Sequence, residues 1–398
     1  MEHQLDASIR QIMEKHRVAG LAAAVVRDGE RIWSGGFGFA NLERRIPVTP
    51  RTRFRIASIS KTVTGTAIMQ LADQGLCSID ADVSDYLGFP LRHPAFPSIP
   101  VTMRQLMTHT SGLQDEYVPF AVDARSENPP RLAITDLLLP GGSYYTERLW
   151  GEHPPGDPAG FFYSNTGALI LATVVEKLSG ERFDRYCRTH LFDPLGMRET
   201  SFRLHDLSDP RSLAVLYEYS AEDGSYTPAM DDYGDTLPAE PDYDGYVPGV
   251  NGALFGPQGG LRTSAEDLSR YLIAHMDGEL DGQRLLRPET AALMQSPHWS
   301  GNEREGFFRQ SGLSFQLTAD LIPGRTMIGH AGDAYGLLSA LFFDRDVRWG
   351  FVVLTNGSCK VKGHHVFYPV EEETANVLFA SFSGASALPR HSLFTKRL

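Results

Sequence analysis

The stretch Arg53-Phe54-Arg55-Ile56-Ala57-Ser58-Ile59-Ser60-Lys61, continuing as TVTGTAIMQLADQG to Gly75, decides how the rest of the chain is read. Its first part, RFRIA, is a β-favouring run and predicts extended chain. From Ser58 to Gln74 the pattern turns helical, and Gly75 closes it. Ser58 then stands at a helix N-terminus, where the macrodipole favours a developing alkoxide. Residues i and i+3 share a helix face, so the Lys61 amine sits beside the Ser58 hydroxyl. A buried lysine can lose its proton and serve as a base. Among the six lysines of the chain, only Lys61 has a serine three residues before it. Taken alone, the tetrad also suits an N-cap serine beside a surface lysine.

Two further short motifs carry chemistry. Tyr163-Ser164-Asn165 opens the helical stretch SNTGALILATVVEKLSG, which Gly180 stops. A phenol near a lysine cation can be held as phenolate and shuttle a proton. Asn165 offers a donor and an acceptor to position the lysine or a substrate amide. A buried tyrosine followed by a helix cap fits the same residues. His330-Ala331-Gly332 precedes the strand-like LLSALFF and is expected to form a small-residue turn. The backbone N–H of Asp333, with that of Ser58, is a candidate oxyanion hole. A structural histidine is the plainer reading of His330.

Working outward, Leu5 to His16 is an amphipathic helix. LAAAVVRDGERIWSGGFG holds two apolar runs around Asp28-Gly29, a hairpin signal because both turn positions need positive φ. GGFGFA lacks the third glycine and following helix of a dinucleotide loop. VTMRQLMTH predicts a short helix ending near His109, whose expected role is to hold a turn. Ser264 to Met276 predicts another helix, with Ser264 and Asp267 resembling a capping box. The tail reads as strands through LLSALFF, DRDVR and WGFVVLTNG, then a helix from Glu372 to Phe382. Strands lie at both ends and helices in the middle. The expected fold class is α/β (α+β): an antiparallel sheet built from both chain termini and flanked by helices, with an inserted, mostly helical lobe. The expected division is one catalytic domain over 1–398, its α/β lobe spanning about 1–57 and 325–398 and its helical and loop lobe about 58–324. The irregular segments 114–160 and 203–260 are long enough to be functional covers.

Composition bounds the function classes. At 398 residues the chain can bury a large core, with 42% apolar and 22% charged residues. A net charge of −12 argues against nucleic acid and anionic membranes as partners. No stretch is apolar for long enough to span a bilayer. The opening MEHQLDASIRQIMEKHRVAG has no apolar signal region, so a cytoplasmic protein is expected, although a chain trimmed of a leader reads the same. Cys77, Cys187 and Cys359 are odd in number and far apart, against a disulfide framework or zinc site. His364-His365 is the one adjacent histidine pair and has no H-E-x-x-H context, so neither a metal nor a cofactor is expected. No G-x-S-x-G elbow is present for a Ser-His-Asp hydrolase.

The order S-x-x-K, Y-x-N, H-x-G resembles the serine β-lactamase and penicillin-binding-protein superfamily. The branch it resembles holds class C β-lactamases, D-alanyl-D-alanine carboxypeptidases, D-aminopeptidases and similar esterases. FRIASISK, LMTHTSGL, PPGDPAGFFYSNTGALIL, LFDPLGM, GGLRTSAEDL and GHAGDAYG are similar to that family's blocks, in its order, over roughly residues 5 to 382. The resemblance implies that Ser58 is acylated and that Lys61 and Tyr163 share the base role. It implies substrate binding by Asn165, His330, Gly332 and Asp333. His330 stands where β-lactamases carry a lysine, which favours an esterase or D-amino-acid-type amidase over a dedicated β-lactamase. The implied substrate is a small ester, amide or peptide. Acyl transfer, β-lactam or D-alanyl-D-alanine hydrolysis, and a retired scaffold used for binding are the alternatives.

Overall fold

The computed structural model describes residues 2–126, 131–234, 236–301, 308–360 and 366–382. His364-His365 lies outside the described residues. Nine strands form one antiparallel sheet. Inside it, third and fourth from one edge, the strand Gly20–Arg27 pairs with Trp349–Thr355, Ala22 opposite Leu354 and Val25 opposite Phe351. Strands from the two ends of the sequence therefore pair inside the sheet, as expected of an antiparallel sheet built from both termini.

Both faces of these strands are covered, so they are apolar throughout rather than alternating. Leu21, Ala23 and Val25 face one core with Leu5, Ile9, Val370 and Leu378 from the two terminal helices, Glu2–Lys15 and Pro369–Phe382. Ala22, Ala24 and Val26 face the other core, with Ile59, Val63, Leu268 and Leu272 from the helical middle of the chain. A one-residue register slip would exchange these two sets. Turn chemistry fixes the register at Asp28-Gly29, with φ 52° and 83°, and at Tyr335-Gly336, with φ 50° and 82°.

Several local expectations are corrected. DRDVR is not a strand; after Asp344 it turns into the strand Trp349–Thr355, with Arg348 at φ 49°. Asp267 does not complete a capping box. Ser264 caps the helix Ala265–Asp277, while the Asp267 carboxylate accepts from Glu199 N and Thr200 Oγ1 at 3.1 and 2.9 Å. Three short strands, Trp299–Ser300, Gln310–Ser311 and Gln316–Thr318, extend the sheet from within the segment assigned to the helical lobe. Among the described residues, no helix is long and apolar enough to cross a membrane.

Candidate active site

The strand Arg53–Arg55 leads into a 3-10 turn, Ala57–Ile59, that runs directly into the α-helix Ser60–Asp73. Ser58 thus sits in the 3-10 turn, two residues before the α-helix begins. Ala57 is held at φ 46°, a strained conformation for a residue with a Cβ. Ser60, not Ser58, ties the turn together: its hydroxyl donates to Ala57 O at 2.7 Å and accepts from Leu261 N at 3.2 Å. Ser58 lies inside that turn, whose cap position is Ile56. The Ser58 Oγ lies 2.9 Å from Lys61 Nζ.

Lys61 is no surface lysine; it is 3% exposed. Its Nζ donates to the Gln258 carbonyl at 2.8 Å and lies 4.8 Å from the centroid of the Tyr163 ring. Burial brings its pKa down to about 7, against a smaller upward pull from Asp115. Neutral amine is therefore well populated at neutral pH. Tyr163 moves the other way. Burial pushes its pKa far up, and the Ser58 side chain is the polar group beside its hydroxyl. The resting phenol keeps its proton, where the sequence alone also allowed a phenolate. A pair of groups driven apart in this way divides into a base and an acid.

Asp115 was not singled out by sequence reasoning. It accepts from Asn165 N at 2.6 Å, Asn165 Nδ2 at 2.6 Å and Thr166 N at 3.1 Å. A carboxylate at the start of the helix Asn165–Ser179 satisfies its free N–H groups. The same contacts hold Asn165 beside the site and place a negative charge near Lys61. His109, at φ 61° after the helix Met103–Thr108, does hold a turn: its Nδ1 accepts from Ser164 N at 3.2 Å. Its ring stands 4.6 Å from that of Tyr163.

His330-Ala331-Gly332 is not a turn but part of the strand Met327–Ala334. The small residues serve close approach. A Cβ on Gly332 would lie 2.6 Å from Ile56 O and 2.3 Å from Ser339 Oγ. The strand therefore passes directly beside the Ser58 turn, with Asp333 on the cleft wall. The Asp333 side chain bonds Lys360, and it accepts from the Tyr368 hydroxyl at 2.9 Å. His330 is 2% exposed and donates from Nδ1 to Ala331 O at 2.5 Å. Burial, then the Lys61 charge, bring its pKa down to about 3. His330 is neutral at any working pH, with Nε2 buried and lacking a partner among the described residues. His330 therefore differs from the lysine usual at this place in supplying no cation to a substrate.

Ser58, Tyr163, Asn165, His330, Gly332 and Asp333 all line one cleft of about 280 Å³, with Lys61 buried behind Ser58. The segment 114–160 contributes Tyr117, Val118, Ala121, Val122 and Arg125 to its rim, and 203–260 contributes Gln258 to Gly260. A beta-lactamase family profile matches residues 5–366. The chain belongs to the beta-lactamase family. Penicillin-binding protein 4* of Bacillus subtilis (strain 168) is 30% identical over 259 residues, 65% of this chain and 52% of that protein. The D-aminopeptidase of Cereibacter sphaeroides is 27% identical over 356 residues, 88% of this chain and 59% of that protein. The chain spans about half the length of the curated relatives it matches. Among solved structures, the octameric penicillin-binding protein homologue from Pyrococcus abyssi superposes with a TM-score of 0.71 at 25% identity, covering 95% of this chain and 77% of that one. The D-amino acid amidase of Ochrobactrum anthropi SV3 gives 0.68 at 22% identity, covering 95% and 99%, and supports the fold. The expected superfamily and α/β architecture are thereby borne out.

Proposed function

We propose that this beta-lactamase family member is a serine hydrolase that cleaves small esters, or amides and peptides, through an acyl-enzyme on Ser58. The observation that carries the reading is the buried Lys61 amine, 2.9 Å from Ser58 Oγ, with a pKa near 7. Neutral Lys61 takes the Ser58 proton as Oγ bonds to the substrate carbonyl carbon. The backbone N–H groups of Ser58 and Asp333 receive the oxyanion. The resulting Lys61 ammonium is stabilised by Gln258 O, the Tyr163 ring and Asp115. Tyr163 gives its proton to the departing oxygen or nitrogen as the carbonyl reforms, and Lys61 restores it. Water then repeats the sequence on the acyl-enzyme and frees the acid.

Asn165 and Gln258 border the cleft, and Gln258 Oε1 is buried without a partner among the described residues. It is an acceptor suited to a substrate N–H, which supports amides beside esters. The names of the relatives, a D-aminopeptidase and a D-amino acid amidase, support the same class. A neutral His330 in place of a lysine supports it over β-lactam hydrolysis. The test is mass spectrometry after a fluorophosphonate probe: the adduct is expected on the peptide containing Ser58. Wild-type hydrolysis by Ser58→Ala would refute the proposal.

A further inference from the structure

One wall of the cleft carries charge that the proposed reaction does not use. Arg55 and Arg262 are direct cross-strand partners, and Asp231 lies between them. Both Asp231 oxygens are already taken. Arg262 donates from Nε at 3.1 Å and from Nη2 at 2.7 Å, and the Tyr233 hydroxyl donates at 2.7 Å. Arg55 Nε stands 3.6 Å from the carboxylate, buried and without a hydrogen bond among the described residues. Arg125, exposed on the helix Val118–Ser126, donates from Nε to Ala121 O at 2.8 Å. No carboxylate pairs with it among the described residues. Desolvation by the surrounding cleft, then the charges of Arg55 and Arg262, pull its pKa below the usual arginine value. Three guanidinium groups therefore gather where one carboxylate pairs with two of them, on a protein whose net charge is −12. Like charges held together in this way favour an added anion.

Arg55 and Arg125 both line the cleft, with Tyr117 and Tyr335. The acids on the opposite flank do not compete for them. Asp333 is bonded to Lys360 and Tyr368, and burial raises the Glu371 carboxyl to about 8, so it is protonated at neutral pH. Position along the cleft follows from the proton path. Tyr163 protonates the leaving group, and its ring centroid is 6.1 Å from that of His330, so the leaving group lies at the His330 end. The acyl remainder then points to the Tyr335 end, where the Arg55 guanidinium lies 5.7 Å from the Tyr335 ring centroid. Arg55 precedes Ser58 by three residues, which places the two backbones within about 10 Å.

We infer that Arg55 and Arg125 form an anion-reading subsite, and that the preferred substrate carries a carboxylate at the far end of its acyl group. This rests on the acyl-enzyme reading above. The test compares kcat/KM for mono-p-nitrophenyl adipate with that for p-nitrophenyl hexanoate, corrected for spontaneous hydrolysis. The acyl chains are equally long and differ only at the terminus. The wild-type ratio is expected to exceed one clearly. Arg125→Gln is expected to lower it by about 10- to 100-fold, the loss of one charge-assisted hydrogen bond. Arg125→Lys keeps the charge and is expected to restore part of the ratio. A ratio does not depend on how much of a variant folds. A wild-type ratio of one or below, or an unchanged ratio in Arg125→Gln, overturns the subsite. Ser58→Ala separates the two claims. If it abolishes both hydrolyses while Arg125→Gln leaves the ratio unchanged, only the subsite fails. If both hydrolyses survive it, the acyl-enzyme reading fails and the subsite falls with it.

Discussion

Lys61 and Arg262 are both buried basic side chains near one cleft, yet their surroundings treat the charge in opposite ways. Burial lowers the Lys61 pKa to about 7, because its neighbours are mostly neutral and Asp115 offsets little of the penalty. Burial also penalises the Arg262 charge, but the Asp231 carboxylate outweighs it and the pKa ends above the usual arginine value. Asp231 mirrors this: burial would raise it, yet Arg262 and Arg55 hold it well below the carboxylate range. One end of the cleft strips a charge and leaves a neutral amine, as the proposed base requires. The other preserves charge by pairing it. The first arrangement suits the proposed chemistry at a cost to the fold; the second ties Asp231 to the neighbouring strands.

That contrast breaks most visibly at Lys61. Lys61→Met and Tyr163→Phe are each expected to cost about 10²–10⁴-fold in kcat, the scale of a lost acid–base group. The losses should be strongly non-additive in the double variant, because the two act as one unit. Lys61→Met is also expected to stabilise the fold at neutral pH by about 1–4 kcal/mol, since an apolar side chain replaces an amine that folding must desolvate and partly deprotonate. Thermal melts of the inactive variant check this, and a lower melting temperature would contradict the strain argument. The sign follows from linkage. Between pH 7 and 10.5 the unfolded lysine binds more protons than the folded one, so the wild type gains stability as pH rises through that window.

Asp231→Asn is expected to act oppositely, destabilising the protein by about 3–5 kcal/mol by leaving Arg262 buried and uncompensated. The depressed Asp231 pKa means its contribution is present above the unfolded value of 3.8 and is lost as pH falls through the folded one. Urea melts at pH 7 would show the loss as a lower midpoint. An unchanged midpoint would mean that the ion pair contributes nothing net.

Much of this was legible from local rules. The Asp28-Gly29 hairpin, the stop at Gly180 and the shared face of Ser58 and Lys61 follow from turn geometry, left-handed caps and helical spacing. What escaped depends on tertiary closure. Asp115 is an ordinary loop acid until a helix start 50 residues later supplies its donors. The Gln258 carbonyl meets Lys61 across 197 residues. Gly332 reads as turn chemistry because small residues serve turns and close approaches alike, and only the neighbouring Ile56 carbonyl tells the two apart. The loss of charge at Lys61 and His330 is likewise a property of the packed site, which residue spacing does not report.

The smallest expected effect is at His330, where the comparison can be sharpened without disturbing the base. If Lys61 is the group that must be neutral, kcat/KM for a neutral ester falls about tenfold per pH unit below an apparent pKa near 7. A histidine in the same cleft is the obvious rival for that limb, since its unperturbed pKa lies close by. The structure separates the two. Burial and the adjacent Lys61 charge bring His330 down to about 3, and its Nδ1 proton is committed to Ala331 O. His330 contributes no charge in the range where the limb appears. His330→Gln keeps a neutral, hydrogen-bonding side chain of similar reach, so the limb is expected to stay near 7 while the plateau drops modestly. The measurement is the pH profile of p-nitrophenyl hexanoate hydrolysis from pH 5 to 9 in both proteins. Disappearance of the limb in His330→Gln would assign the titration to the histidine and leave Lys61 charged throughout, erasing the contrast with Arg262.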